Sequence, residues 1–341
     1  MKRIEGNGAP RLWERLRDRR RFARTLREAA REPVAAARSR AHDVVVVPCW
    51  RRPEFLWHCL DNLSRAEGIE DVHIVICPDT GAAPENQEVV RAFRSRLPSY
   101  EIREAVTSPF RRTKQSSNVL LAYLYAAALS RHFVFLVEED IIVARDFLTW
   151  NRAVHAAAGP LFCSIGVKNH NREVALEEEP EGYYLSSGDF CSHGVCFDRQ
   201  VLRERIAPHV RLDYMRRPKA YLRRHFPDSS VGLGFVEQDG LIRRIQERSR
   251  LPIAYPCLPR AFDAGFYGYN RPGGIPGPEH SRRARLGDII YDRERLRAVA
   301  APEFADQCVP IDLEPPVWRV QRRVELGSVV AAAAPLPDRA A

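Results

Sequence analysis

The chain has 341 residues, 45% hydrophobic and 28% charged, a composition that suits one large α/β domain or two modest ones. No apolar run approaches the length of a membrane span, and the charged N-terminus lacks the apolar core of a signal peptide. The formal charge of +9 belongs to residues 1–40, which hold 13 Lys/Arg against 5 Asp/Glu; the rest is near neutral, which argues against specific nucleic-acid binding as its task.

Residues 11–31 have helical spacing, with Leu12, Leu16, Ala23, Leu26 and Ala30 near one face and Trp13 and Phe22 flanking it. Arginines crowd the remainder. Two readings stand: a peripheral contact with an anionic membrane surface or acidic partner, or a solvated arm. A linker after Pro33 ends near His42.

Asp43-Val44-Val45-Val46-Val47 predicts a buried strand, because four β-branched residues are poor helix material, and Pro48 is expected to stop it. Pro53 suits a helix start, with Phe55, Leu56, Cys59, Leu60 and Leu63 at helical spacing behind it. Arg51 and Arg52 fall in the loop between, on the ligand side of a parallel sheet or as a solvated pair. Residues 72–77 predict a second strand. Asp79 follows it, placed to accept hydrogen bonds from a base or ribose, or to stabilise its own turn. A helix over 85–96, a strand over 100–103 and a helix with its apolar run at 119–129 come next, with Arg111, Arg112 and Lys114 ahead of the last.

The next stretch, Phe133-Val134-Phe135-Leu136-Val137-Glu138-Glu139-Asp140-Ile141-Ile142-Val143, organises the chain. An apolar run of this kind reads as a strand covered on both faces, and three acids at its end are costly to desolvate without a cation. Strand–helix alternation up to this point argues for a parallel, doubly wound sheet, whose ligands sit at the carboxyl ends of the strands. Neither GxGxxG nor GxxxxGK[ST] occurs. Beyond it, a helix over 146–157 and a strand over 161–167 are expected, then an exposed excursion, a glycine-interrupted strand region over 183–197 and a basic, aromatic stretch over 213–228. Glu237 and Asp239 open a further helix, where acids also favour the helix dipole. The eight cysteines show no CxxC spacing, which favours buried thiols in a reduced, cytoplasmic setting.

In this order the pieces resemble a GT-A glycosyltransferase. Residues 43–275 are most similar to the family-13 type, the inverting N-acetylglucosaminyltransferase I of N-glycan processing, with family-2 character at the N-terminal end. The stretch Phe135-Leu136-Val137-Glu138-Glu139-Asp140-Ile141-Ile142-Val143-Ala144-Arg145-Asp146-Phe147 parallels the family's metal motif, a carboxylate triplet, an apolar pair and then Asp-Phe. The resemblance implies a Rossmann-like, mostly parallel sheet with helices on both faces. It divides the chain into an arm (1–41), a catalytic domain (42–315, with a nucleotide-binding half over 42–145 and an acceptor half over 146–315) and a tail (316–341).

The same resemblance makes Asp140 the ligand of Mn²⁺ or Mg²⁺. Glu138 shares its side by strand alternation, and Glu139 supports from the other. Arg51, Arg52, Asp79, Arg112 and Lys114 would hold a nucleotide-sugar donor, UDP-linked by the family's habit. Asp239, with Glu237 as second choice, would be the catalytic base, and residues 257–270 would close the site. No stretch of the sequence reads as the family's usual membrane anchor, so the expected acceptor is not restricted to an N-glycan and stays open among a glycan, a lipid-linked sugar and a small molecule. Two alternatives remain: a sugar-nucleotide nucleotidyltransferase, disfavoured because Pro48 to Pro53 contains no glycine, and a non-catalytic binding protein using the basic arm. His193 and His280 are possible further ligands, against the commoner structural role.

Overall fold

The computed structural model describes residues 12–29, 42–104, 107–167, 182–188, 190–257, 259–263 and 322–323. The predicted excursion over 174–182 (apart from Gly182), His280, Cys308 and most of the linker, of the site-closing segment and of the C-terminal tail lie outside them. The arm forms α1 (Leu12–Ala29). Its arginines at 17, 19, 20, 21, 24 and 27 are exposed, while Phe22 and Leu26 are buried. Phe22 meets Phe110 edge-on at 6.4 Å, so the helix lies against the body instead of standing free in solvent.

β1 (Asp43–Cys49) is buried along its whole length. It continues through Pro48, because a proline at a strand end forfeits only its own donor. Pro48 still accepts a hydrogen bond from the Glu139 amide at 3.2 Å. After α2 (Pro53–Leu63), β2 (Val72–Pro78) pairs parallel to β1 along seven residues. α3 (Glu85–Ala92) ends four residues before the expected boundary, and β3 (Tyr100–Ile102) adds to β2 in parallel. α4 (Lys114–Leu129) is buried on nearly all sides, as its apolar run requires. It delivers the chain to β4 (Phe133–Leu136), parallel to β1 on the opposite edge from β2.

The second half is shorter-stranded: β5 (Ile141–Val143), α5 (Phe147–Ala157), β6 (Cys163–Ile165), β7 (Gly182–Ser186) and β8 (Val195–Asp198). A bent helical passage follows, opening as α6 (Arg199–Val201), then α7 (Leu212–Arg216), α8 (Pro218–His225) and α9 (Gln238–Ser249). β9 (Ile253–Pro256), β10 (Ala261–Asp263) and the two-residue β11 (Arg322–Arg323) complete the described chain. The main sheet runs β11-β7-β9-β6-β8-β4-β1-β2-β3, mostly parallel, with β8 antiparallel to β4 and to β6 and β7 antiparallel to β9. β5 leaves this sheet and pairs antiparallel with β10.

One apolar core extends from Phe22 to Ala261. Tyr123 on α4 packs edge-on to Phe197 on β8 at 5.2 Å, and Phe162 meets the same ring at 5.8 Å. The seven described cysteines are free, and all but Cys191 are buried. No helix among the described residues is long and apolar enough to cross a membrane.

Candidate active site

The acids after β4 do not continue the strand. Val137 and Glu139 still donate backbone hydrogen bonds to Val46 and Pro48 of β1, at 3.0 and 3.2 Å, and Ile141 then closes a turn onto the Glu138 carbonyl at 2.9 Å. Strand alternation would set Glu138 and Asp140 together with Glu139 facing away. The turn instead aims Glu139 and Asp140 at one guanidinium. Arg52, in the loop between β1 and α2, donates from Nε to Glu139 Oε1 at 2.9 Å and from Nη1 to Asp140 Oδ2 at 2.7 Å. All three side chains are nearly inaccessible.

This clasp governs the local electrostatics. Burial works against the charge of Arg52, but Asp140 and Glu139 more than offset it and hold its pKa above the ordinary arginine value. Burial pushes the Glu139 carboxyl up to about 7, with Arg52 pulling the other way. Glu138 lies outside the clasp. Burial raises its carboxyl well above the usual range, and the charges of Asp140, Asp239 and Glu139 add to the effect.

Asp239 enters from the first turn of α9. The helix start is fixed by a hydrogen bond from the Gln238 amide to Ser116 Oγ on α4, at 3.1 Å. Burial raises the Asp239 carboxyl, opposed by His193 and by the Ser192 hydroxyl, which donates to Oδ2 at 3.4 Å. Glu237, one residue before the helix, is exposed and accepts from the Val236 amide at 3.1 Å. Asp239 therefore faces the carboxylate cluster and Glu237 does not. Tyr123 feels both sides: burial, then Asp239 and Glu138, push its phenol upward. The Tyr123 hydroxyl, Glu138 Oε1 and Asp239 Oδ1 are buried without a hydrogen-bond partner among the described residues. Orphaned polar atoms of this kind are costly unless a ligand, ion or water completes them.

The other predicted residues do not join the cluster. Asp79 Oδ1 accepts from the Thr80 amide and from Thr107 Oγ1, both at 2.7 Å, so this oxygen stabilises the turn after β2. Arg51 is exposed, donates to the Gly81 carbonyl at 2.9 Å and lies over Trp50 at 4.8 Å. With Pro53 and the 81–85 turn it lines an open crevice of about 480 Å³. Arg112 and Lys114 are exposed where α4 begins. Within the stretch expected to close the site, Arg260 is fully buried and paired at 2.8 Å to Asp146, the residue preceding α5. Burial lowers the Arg260 pKa to about 10 against the pull of Asp146. His193 stands 3.6 Å from Asp263 on β10.

Sequence reasoning passed over Tyr123, Ser192 and Arg244. Tyr123 is one of two hydroxyl-bearing aromatics within the apolar run of α4, which was its signal. Arg244, in a basic pair on α9, is only 1% exposed. It donates to the carbonyls of Val231, Gly232, Phe235 and Gly240 at 2.7–2.9 Å and locks the loop that precedes the helix. Gly240 is needed for this approach, since a Cβ there would sit 2.2 Å from the Phe235 carbonyl oxygen.

Among the described residues no three His, Cys, Asp or Glu side chains are arranged to hold a metal, and Asp140 Oδ2 is occupied by Arg52. The surplus of carboxylates around Glu138, and the orphaned oxygens of Glu138 and Asp239, nevertheless fit a cation.

No family model matches the chain, and no curated protein matches it in sequence. Several solved structures align with part of this chain at TM-scores below 0.5. A mannosyltransferase from Pyrobaculum calidifontis, PcManGT, in complex with GDP-Man and Mn²⁺, is 13% identical over 74% of this chain and 68% of its own, with a TM-score of 0.38. The galactosyltransferase LgtC, in complex with donor and acceptor sugar analogs, is 10% identical over 62% and 72%, at 0.40. S. aureus TarS residues 1–349, in complex with UDP-GlcNAc, is 11% identical over 77% and 68%, at 0.41.

Proposed function

We propose that this chain is a metal-dependent, inverting glycosyltransferase of the GT-A kind, moving a sugar from a nucleotide-sugar donor to an acceptor hydroxyl. The observation that carries the reading is the meeting of Glu138 and Asp140, after β4, with Asp239, at the start of α9. Glu138 and Asp140 follow the carboxyl end of a parallel strand, Asp239 reaches them from a separate helix, and among the described residues Glu138 Oε1 and Asp239 Oδ1 are buried without partners.

In this reading Asp140, with Glu138 beside it, would hold Mn²⁺ or Mg²⁺. Bound there, the ion would supply Lewis-acid stabilisation of charge on the departing diphosphate. Arg52 fixes the orientation of Asp140 and carries the positive charge nearest to it. Arg51 borders the crevice, and Asp79 holds the turn after β2 that leads into it; the nucleoside end of the donor would lie there. Asp239 would take the proton from the acceptor hydroxyl, and burial, by raising its pKa, makes it a stronger base than a solvated carboxylate. A base on the side opposite the leaving diphosphate corresponds to one displacement and inversion at the anomeric carbon. UDP as the nucleotide rests on the resemblance of residues 43–275.

The test is a screen of nucleotide sugars with Mn²⁺ or Mg²⁺ on the wild type, Asp140→Ala, Asp239→Ala and Glu237→Ala. Released nucleoside diphosphate is expected, whereas released pyrophosphate would mean nucleotidyl transfer. Asp140→Ala and Asp239→Ala should each lose at least about 100-fold in turnover, with Glu237→Ala much less affected. Near-full activity in the first two would sink the assignment.

A further inference from the structure

The basic stretch over 211–225 takes no part in the carboxylate cleft. α7 and α8 meet at Arg217–Pro218 and border a cavity of about 550 Å³ lined by Arg211, Arg216, Arg217 and Arg224, with Tyr221 and His225 in its wall. Among the described residues a single carboxylate lines it, that of Asp213, 3.6 Å from Arg211. Arg216, Arg217 and Arg224 form no ion pair with any of the described residues. Guanidinium groups gathered in this way repel one another, and the arrangement gains nothing without an anion.

The aromatic wall of the cavity is fixed in place. Outside the lining, buried His209 sets its Nδ1 2.9 Å from the Tyr221 hydroxyl, and the Tyr221 and His225 rings pack 4.2 Å apart, tilted by 30°. Burial, then the charges of Arg248, His225 and Arg211, lowers the His209 pKa to about 4, so the imidazole stays neutral and the positive field comes from the arginines. α7 also links the cavity to the cleft. Tyr214 donates to the Val236 carbonyl at 2.8 Å, just before Glu237, and the Met215 carbonyl accepts from Thr113 Oγ1 at 2.9 Å, where α4 begins.

We propose that the cavity between α7 and α8 binds a phosphate or diphosphate group carried by the acceptor. Arginine forks match phosphate oxygens in two-point contacts, and several unpaired forks on one concave surface suit a multiply charged oxyanion. A cavity of this size accommodates more than one phosphoryl group. The assignment to the acceptor rests on the glycosyl-transfer reading; the anion site itself does not.

Calorimetric titration of the full chain with inorganic pyrophosphate at low ionic strength tests the site. Wild type is expected to bind saturably, and R216S/R217S/R224S to bind at least ~10-fold more weakly. R91S/R94S/R205S, which removes equal charge from exposed positions elsewhere, should change affinity by less than ~2-fold. D140N keeps pyrophosphate binding in the cavity even where transfer is lost, so the two readings fail separately. Phosphatidylcholine vesicles with and without phosphatidic acid identify the source of the group. Capture by phosphatidic acid that the cavity triple variant abolishes assigns a lipid headgroup; pyrophosphate binding without capture assigns a soluble phosphorylated acceptor. Equal losses in the two triple variants, or no saturable binding of either probe, would overturn the proposal.

Discussion

Arg52 and His155 represent two ways for an ionisable residue to live inside this protein. Arg52 stays charged because two carboxylates meet it; removing the arginine would leave both of them buried without a counter-charge. His155, on α5, stays neutral. Its Nε2 lies 3.3 Å from the Cys196 carbonyl and its ring packs 5.1 Å from Phe133. Burial lowers its pKa from 6.5 to about 4, against a smaller upward pull from the Cys196 carbonyl and Asp198. The unfolded chain thus takes up a proton near 6.5 that the folded chain refuses until about 4. The stabilisation is complete above 6.5 and is lost as the pH falls toward 4, by about 2–3 kcal/mol at pH 4.5. His155→Gln keeps a donor for Cys196 without titrating. Urea unfolding at pH 7.5 and 4.5 should therefore show the variant losing about 2–3 kcal/mol less than wild type over that interval. Equal losses would place the acid sensitivity elsewhere.

At the scale of elements, periodicity in the sequence located β1, α2, β2, α4 and β4, because their burial is close to complete and leaves an unbroken apolar signal. The direction of the acids was less accessible. Alternation assumes an extended backbone, and the chain turns at Glu139–Asp140, so Glu139 joins Asp140 on Arg52. Arg52 and Asp239 were visible as site candidates, whereas Tyr123 and Arg244 were hidden among apolar or basic neighbours whose spacing says nothing of their partners. α1 was legible as a helix over 11–31, but its docking on the body was not, since its arginines mask a short apolar contact. Phe22→Ala removes the ring that meets Phe110, an interaction whose loss costs up to about 3 kcal/mol at a buried site. The freed helix offers trypsin six exposed arginines between 17 and 27. Cleavage within α1 should accelerate at least ~10-fold while the remaining body resists, which timed digestion followed by mass spectrometry would measure. Unchanged cleavage would mean that other contacts hold the helix.

For the whole molecule, a boundary near residue 145 separates a parallel half from a mixed half in sequence order, but the core does not divide there. The free edge of β4 is covered by β8, in antiparallel register from Phe133 opposite Asp198 to Leu136 opposite Val195. The Asp43 carboxylate at the start of β1 accepts from Arg152 on α5 at 2.9 Å, and Tyr123 rests on Phe197. β5, which lies before the boundary, takes its partner from β10 beyond it. A fragment of residues 42–145 would therefore carry an open sheet edge, an uncovered aromatic face and an unpaired short strand. Wild type should unfold in urea as one transition, with fluorescence and near-ultraviolet circular dichroism coincident. The fragment should show no cooperative transition and should associate at micromolar concentration. A monomeric fragment with its own sharp transition would instead make the nucleotide-side half an independent domain, and Asp140 and Asp239 would then belong to units able to fold apart.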